Sequence, residues 1–229
     1  MKRSKTYRAI AEKIQPGKEY DLGEAIKILK NNGTYKIDNT LEVHMNLGVD
    51  PKHSDQVVRG NVALPHGSGK KVRILAFAKG ELEKAAKDSG ADFVGAEEMV
   101  QKILEGWTDF DAVVATPDMM PLISKVARVL GPRGLMPSPK AGTVTANVSQ
   151  IIKELKAGKI SYRVDKGSNI HAPVGKLSFT AEQLKENAMV VIDSVAKAKP
   201  STAKGVYVKS ITLAGTMTPG VRVDRSIVN

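Results

Sequence analysis

The hydrophobic period changes twice along the chain, and that change limits the fold more than any other feature. Leu41, Val43, Met45 and Leu47 alternate with Glu42, His44 and Asn46. Val58, Gly60, Val62 and Leu64 alternate in the same way with Arg59, Asn61 and Ala63. Period-two alternation predicts strands with one buried and one wet face. From Gly67 onward the apolar residues come in runs instead: 72–78, the short Asp92-Phe-Val94, and Ala112-Val-Val-Ala115. Such runs suit strands covered on both faces. Helical stretches separate them at 81–89 and 97–105. A further helix runs from Asp118, as N-cap, to Leu130, and another spans 147–157. Strand–helix alternation predicts a parallel sheet with helices on its faces.

From Ile160 the alternation returns. Ile160, Tyr162 and Val164 form one half-buried strand, with others at 170–176, 206–213 and 221–224. Thr180-Ala-Glu-Gln183 reads as a capping box opening a helix with Leu184, Ala188, Val191 and Val195 inward. Two helices precede all the strands, at 4–14, stopped by Pro16 and Gly17, and at 22–29, closed by Gly33.

Each chain end alone has too few strands to cover its own apolar face. The expected fold is α/β with two domains. A discontinuous α+β domain is built from both chain ends, residues 1–66 and 160–229. A Rossmann-like, three-layer α/β domain, residues 67–159, is inserted into it. The crossings at Pro65–Gly69 and Ala157–Lys159 are glycine-bearing, so Gly67, Gly69 and Gly158 are the expected hinge.

Charge points to a polyanionic partner. The formal net charge is +11. Residues 67–159 carry only +3 of it, so +8 sits on the two ends together. Absence of cysteine excludes disulfides, thiolate metal sites and cysteine nucleophiles. No apolar run approaches the ~20 residues of a membrane span. The basic opening, with Arg3 and Lys5, lacks the apolar core of a signal peptide, so the expected location is the cytoplasm. Basic residues at a helix start oppose the helix dipole, which suits either a ligand or a solvated terminus.

Enzyme chemistry finds little support. Gly67-Ser-Gly-Lys70 lacks the earlier glycine and the following hydroxyl of a phosphate-binding loop, and it precedes a strand instead of following one. The four histidines are widely spaced, so no metal site is expected. No nucleophile–base–orienter set is present, and neither catalytic residues nor a cofactor are expected. A nucleotide-dependent enzyme with a basic accessory domain is the alternative reading. The stretch Leu130-Gly-Pro-Arg-Gly-Leu-Met-Pro-Ser-Pro-Lys-Ala-Gly-Thr-Val144 is acid-free. Its Arg133 and Lys140 favour an anion, most simply phosphate. Aromatic residues make up only 4% of the chain, which argues against a stacking platform for single strands and for recognition of a folded RNA by shape and backbone.

That acid-free stretch resembles the signature loop of the L-one family of large-subunit ribosomal proteins. Four other stretches agree with it, in order: Ser54-Asp-Gln-Val-Val-Arg-Gly60, Leu64-Pro-His-Gly-Ser-Gly69, Ile170-His-Ala-Pro-Val-Gly-Lys176 and Thr216-Met217. The resemblance covers essentially the whole chain. It implies a split two-domain protein, monomeric when free and cytoplasmic on the ribosome. It also implies binding to the stalk region of 23S rRNA in the large ribosomal subunit, next to the exit-site tRNA, and repression of the protein's own mRNA. The RNA-facing set it implies is Arg3, Lys5, Lys36, Ile37, Arg163, Asp165, Lys166, His171, Lys176, Thr216, Met217 and Thr218. The sequence departs from the family pattern at four of its positions. Thr218 replaces the glycine of a Thr-Met-Gly triplet, and Ile37 replaces a frequent phenylalanine. Val58 and Val164 each replace an asparagine.

Overall fold

The computed structural model describes residues 4–15, 17–31, 37–139 and 142–228. The fold is mixed α/β. Backbone contacts divide it into two compact units, Met1–Gly69 with Gly158–Asn229, and Lys70–Ala157.

The first unit is organised by an antiparallel four-stranded sheet. Its strands are β1 (Thr40–Leu47), β7 (Asn169–Lys176), β8 (Val208–Gly215) and β9 (Val221–Val223), in the order β7-β1-β8-β9. β1 alternates half-buried and buried residues along its whole length, as its sequence period requires. Leu41, Val43, Met45 and Leu47 share one core with Ile170, Ala172, Val174, Ile211 and Leu213. Two helices cover this face. α2 (Leu22–Asn31) buries Leu22, Ala25, Ile26 and Leu29. α8 (Ala181–Lys197) buries Leu184, Asn187, Ala188, Val191, Ile192 and Val195. Each fully buried Leu, Ile or Val contributes roughly 1.5–3 kcal/mol. The box at the start of α8 is complete. Thr180 Oγ1 accepts from the Gln183 amide at 3.2 Å, and Gln183 Oε1 accepts from the Thr180 amide at 3.0 Å. A separate antiparallel ribbon pairs β2 (Arg59–Ala63) with β6 (Lys159–Arg163). The short α1 (Lys5–Ala11) is capped by the Ser4 hydroxyl. Pro16 and Gly33, the expected helix stops, lie outside the described residues. Residue 206 precedes β8, exposed, instead of opening the strand.

The second unit holds a three-stranded parallel sheet in the order β4-β3-β5: β3 (Ile74–Phe77), β4 (Phe93–Gly95) and β5 (Ala112–Ala115). All four residues of β3 are buried, and they divide between two cores. Leu75 and Phe77 pack with Val100, Ile103, Met119, Ile123, Val126 and Leu130. Ile74 and Ala76 pack with Ala86, Val114, Val148 and Ile152 on the other face. The helices behind these contacts are α3 (Glu81–Asp88), α4 (Glu97–Leu104) and α7 (Val148–Lys156).

The single helix expected from Asp118 to Leu130 is broken. A 3₁₀ turn at Pro117–Met119 leads into α5 (Met120–Ile123), a second 3₁₀ turn and α6 (Ala127–Leu130). Pro117 and Pro121 lack amide hydrogens, and Asp118 lies inside the first turn instead of capping it. The apolar spacing survives, so Met119, Ile123, Val126 and Leu130 still reach the core. The Pro/Gly stretch that follows is anchored. Leu135 and Met136 pack on that core, the Ser138 amide donates to Thr143 Oγ1 at 2.9 Å, and Val144 bridges Ala115 in parallel.

Candidate nucleic-acid interface

The outward face of the four-stranded sheet follows from its register. On β1 it presents Thr40, Glu42, His44 and Asn46; opposite them on β7 stand Lys176, Pro173, His171 and Asn169. Ser210, Thr212 and Ala214 continue the face on β8, and exposed Arg222 lies across from Thr212. The face is polar and holds neither Phe, Tyr nor Trp.

At one end the β8–β9 turn joins the start of β1. The Thr216 amide donates to the Thr40 carbonyl at 3.1 Å, and Thr216 Oγ1 accepts from the Thr40 amide at 3.1 Å. The hydroxyl is therefore fixed in direction, not freely rotating. Met217 is 57% exposed. Thr218 is different, with only 9% of its surface exposed. Its hydroxyl accepts from the Gly215 amide at 2.8 Å and closes the turn. Thr218 thus shapes the turn. Ile37 is 72% exposed. Lys176 Nζ donates to Thr40 Oγ1 at 2.9 Å and to the Asp38 carbonyl at 3.2 Å, so this ammonium is held at the same end.

At the other end of β7 the chain turns through Asp165–Ser168. The Asp165 carboxylate accepts from the Gly167 and Asn169 amides at 2.8 and 2.7 Å. The Asn169 amide, then the Gly167 amide and the His171 ring, hold its carboxyl below the usual range. Ser168 takes a φ of 64°, rare for a residue other than glycine. Lys166 at the tip and Arg163 at the end of β6 are exposed. Asp165 organises this turn and leaves the two cations outward.

His44 departs from the solvated imidazole its strand position suggests. Its Nδ1 lies 2.7 Å from Nδ1 of His171, directly across the strands. Burial, then the neighbouring His171, push the His44 ring below the ordinary histidine value. Among the described residues, no group of three or more potential metal ligands converges. Asn46 and Asn169 form the next cross-strand hydrogen bond, at 2.8 Å. Thr40, Asn46 and Asn169 escaped sequence reasoning, although the pairing of Thr40 with Lys176 and of Asn46 with Asn169 follows once the strand register is known.

Lys5 opens α1, exposed. Arg3, Lys36 and Lys140 lie outside the described residues. Arg133, in the second unit, is exposed and donates to Thr108 Oγ1. Lys70 of the glycine-rich Gly67–Lys70 segment pairs with Asp111 at 2.6 Å, the reverse of a lysine kept open for phosphate. Gly67, Gly69 and Gly158 all take positive φ, from 69° to 103°. Among the described residues, no helix is long and apolar enough to cross a membrane.

The sequence model of the ribosomal protein L1p/L10e family matches residues 28–219. The chain belongs to this family. The large ribosomal subunit protein uL1 of Thermus thermophilus is 54% identical over 224 residues, which span 97% of this chain and 98% of that protein. Membership of a ribosomal-protein family marks the chain as a structural, RNA-binding protein and not an enzyme. The family match contains β1, β7 and β8 whole, and with them nearly all of the polar face.

Proposed function

We propose that this protein is a component of the large ribosomal subunit that binds the stalk region of 23S rRNA through the outward face of its four-stranded sheet. The observation that carries the proposal is the pairing at the two ends of that face. At one end an exposed methionine, Met217, stands beside the fixed hydroxyl of Thr216; at the other, Arg163 and Lys166 point outward from a turn held by Asp165. Cations hold phosphates, a hydroxyl reads a ribose 2′-OH, and a thioether lies against a sugar or base face. In this reading Lys5, Ile37, His171 and Lys176 border the site. Arg3 and Lys36 extend it, and Arg133 and Lys140 serve the second unit. The two units act as domains, residues 1–66 with 160–229 and residues 67–159, the latter Rossmann-like. The glycine crossings at 67, 69 and 158 are the hinge by which the stalk follows departing exit-site tRNA. The same face binds the protein's own mRNA and represses its translation. The free protein is a monomer in the cytoplasm.

The test is titration of the full chain with a 23S rRNA stalk fragment over a salt series. Affinity should fall steeply with salt, with a slope of about 0.7–0.9 per phosphate contact. Affinity independent of salt overturns the phosphate contacts; absence of binding overturns the function.

A further inference from the structure

The β2–β6 ribbon contains an unresolved electrostatic conflict. Its register sets Arg59 directly opposite Arg163, and both side chains are exposed. Like charges at directly opposed positions destabilise a strand pair. Among the described residues, no carboxylate comes within ion-pair distance of either guanidinium. Asp165, two residues from Arg163, is committed to the amides of Gly167 and Asn169 and to His171. Asn61 opposes Ser161 in the next outward pair, and Lys159 ends the strand. The outward side of the ribbon therefore combines cations with hydrogen-bonding groups and carries no acid.

The other side of the ribbon is rigid. Val58, Val62, Tyr162 and Val164 are buried in the core of the first unit. The Tyr162 hydroxyl donates to the Ser194 carbonyl of α8 at 3.1 Å. A side chain at Gly60 would meet that hydroxyl at 2.6 Å, so strand and tyrosine fit closely. The two arginines cannot separate by bending the ribbon away from its support. An anion between the two guanidiniums offsets the repulsion between them.

We propose that the outward side of the β2–β6 ribbon extends the RNA-backbone surface beyond Arg163, and that Arg59 and Arg163 together hold phosphate. This rests on the RNA-binding reading of the sheet face given above, which already includes Arg163, and extends it along the ribbon to Arg59. Guanidinium groups match the phosphodiester in geometry, each offering paired N–H donors to its non-bridging oxygens. Opposed strand positions place Cβ atoms about 4.5–5.5 Å apart, close enough for two guanidiniums to share one phosphate. The flanking Ser161 hydroxyl and Asn61 amide suit ribose, and the lack of an aromatic ring leaves nothing to stack a base. Phosphate bound here also neutralises the two opposed positive charges.

This origin of affinity gives a test with opposite signs. In the full chain, Arg59→Gln should weaken binding of the 23S rRNA stalk fragment and reduce the salt slope by about 1. Its melting temperature without RNA should equal or exceed that of the wild type. Arg59→Glu, which can pair with Arg163, should melt higher still and bind more weakly than Arg59→Gln. Lys79→Gln removes the same charge from the second unit and should leave both quantities near wild type. The inference is overturned if the Arg59 variants keep wild-type affinity and slope. It is equally overturned if they lose affinity no more than Lys79→Gln, or if both melt lower than wild type. Failure of the wild-type chain itself to bind the fragment refutes the parent reading instead, and the two results cannot be confused.

Discussion

Gly158 lies so close to Gly67 that a Cβ added to it would sit 2.5 Å from the Gly67 Cα. Two crossing segments of the first unit are thus packed backbone against backbone. Gly158 also has a φ of 103°, a conformation that side chains oppose. Gly158→Ala should lower stability by about 1–3 kcal/mol. Gly17→Ala, also at positive φ but with open space around it, should lose only the conformational part. Denaturant melts of the two variants separate close approach from φ strain.

Asn187 is fully buried on α8 and ties one of these segments down. Its Nδ2 donates to the carbonyls of Gly67 at 3.0 Å and Val174 at 2.7 Å, and its Oδ1 accepts from the His66 amide at 3.2 Å. Asn187→Leu leaves these backbone groups without their partner, and each buried orphan costs about 1–3 kcal/mol. The expected loss is at least 2 kcal/mol in chemical denaturation. Faster amide exchange at His66 should accompany it, while exchange in β3 stays as it was.

Met217 separates affinity from stability. At 57% exposure it adds little to the core. Met217→Ala should weaken RNA binding by roughly 1–3 kcal/mol, the range for a side chain lying against a base. Its melting temperature should move by less than 2 °C, about the effect of a few tenths of a kcal/mol. Because the methionine is uncharged, the salt slope of binding should not change. A large melting loss with affinity intact would return Met217 to a structural role.

Asp111 gives the second unit an acid-sensitive anchor. Hydrogen bonding from the Lys70 ammonium, helped by Arg73, lowers its carboxyl from 3.8 to about 2. A depressed folded-state value contributes stability above the unfolded value and loses it as pH falls toward the folded one. Discounted for its exposed partners, the contribution is about 1–2 kcal/mol at neutral pH. Asp111→Asn should therefore melt lower than wild type at pH 7. The difference should shrink between pH 4 and pH 2 and vanish below that.

Much of this architecture was legible because burial and period coincide. β1 and β5 were bounded to within a residue, since nothing in them competes with the pattern. The 117–130 segment is helical to Leu130 as its spacing requires, but its alternation of 3₁₀ and α turns is not legible from apolar spacing, which does not register two prolines. The site was legible only in part. Lys176 and Thr216 were visible as residue types, yet their attachment to Thr40 depends on partners far along the chain. The contact of His44 is hidden in the same way, since its partner His171 stands on another strand. The packing of Val58 with Val164 is also a matter of partners far apart in the chain. The Val164 amide donates to the Val58 carbonyl at 2.9 Å, and both side chains enter the same core.

The strand order of the first unit also sets a timetable for synthesis. β1 lies between β7 and β8, both from the far end of the chain. As the chain lengthens from its N-terminus, β1 emerges early and waits without either neighbour. The parallel sheet at 74–115 and the helix that completes its second face, ending at Lys156, emerge in one continuous stretch. Domains form as units during synthesis, in the order their parts become available. The middle of this protein can therefore fold before its beginning, and the first strand to be made is among the last to find its place.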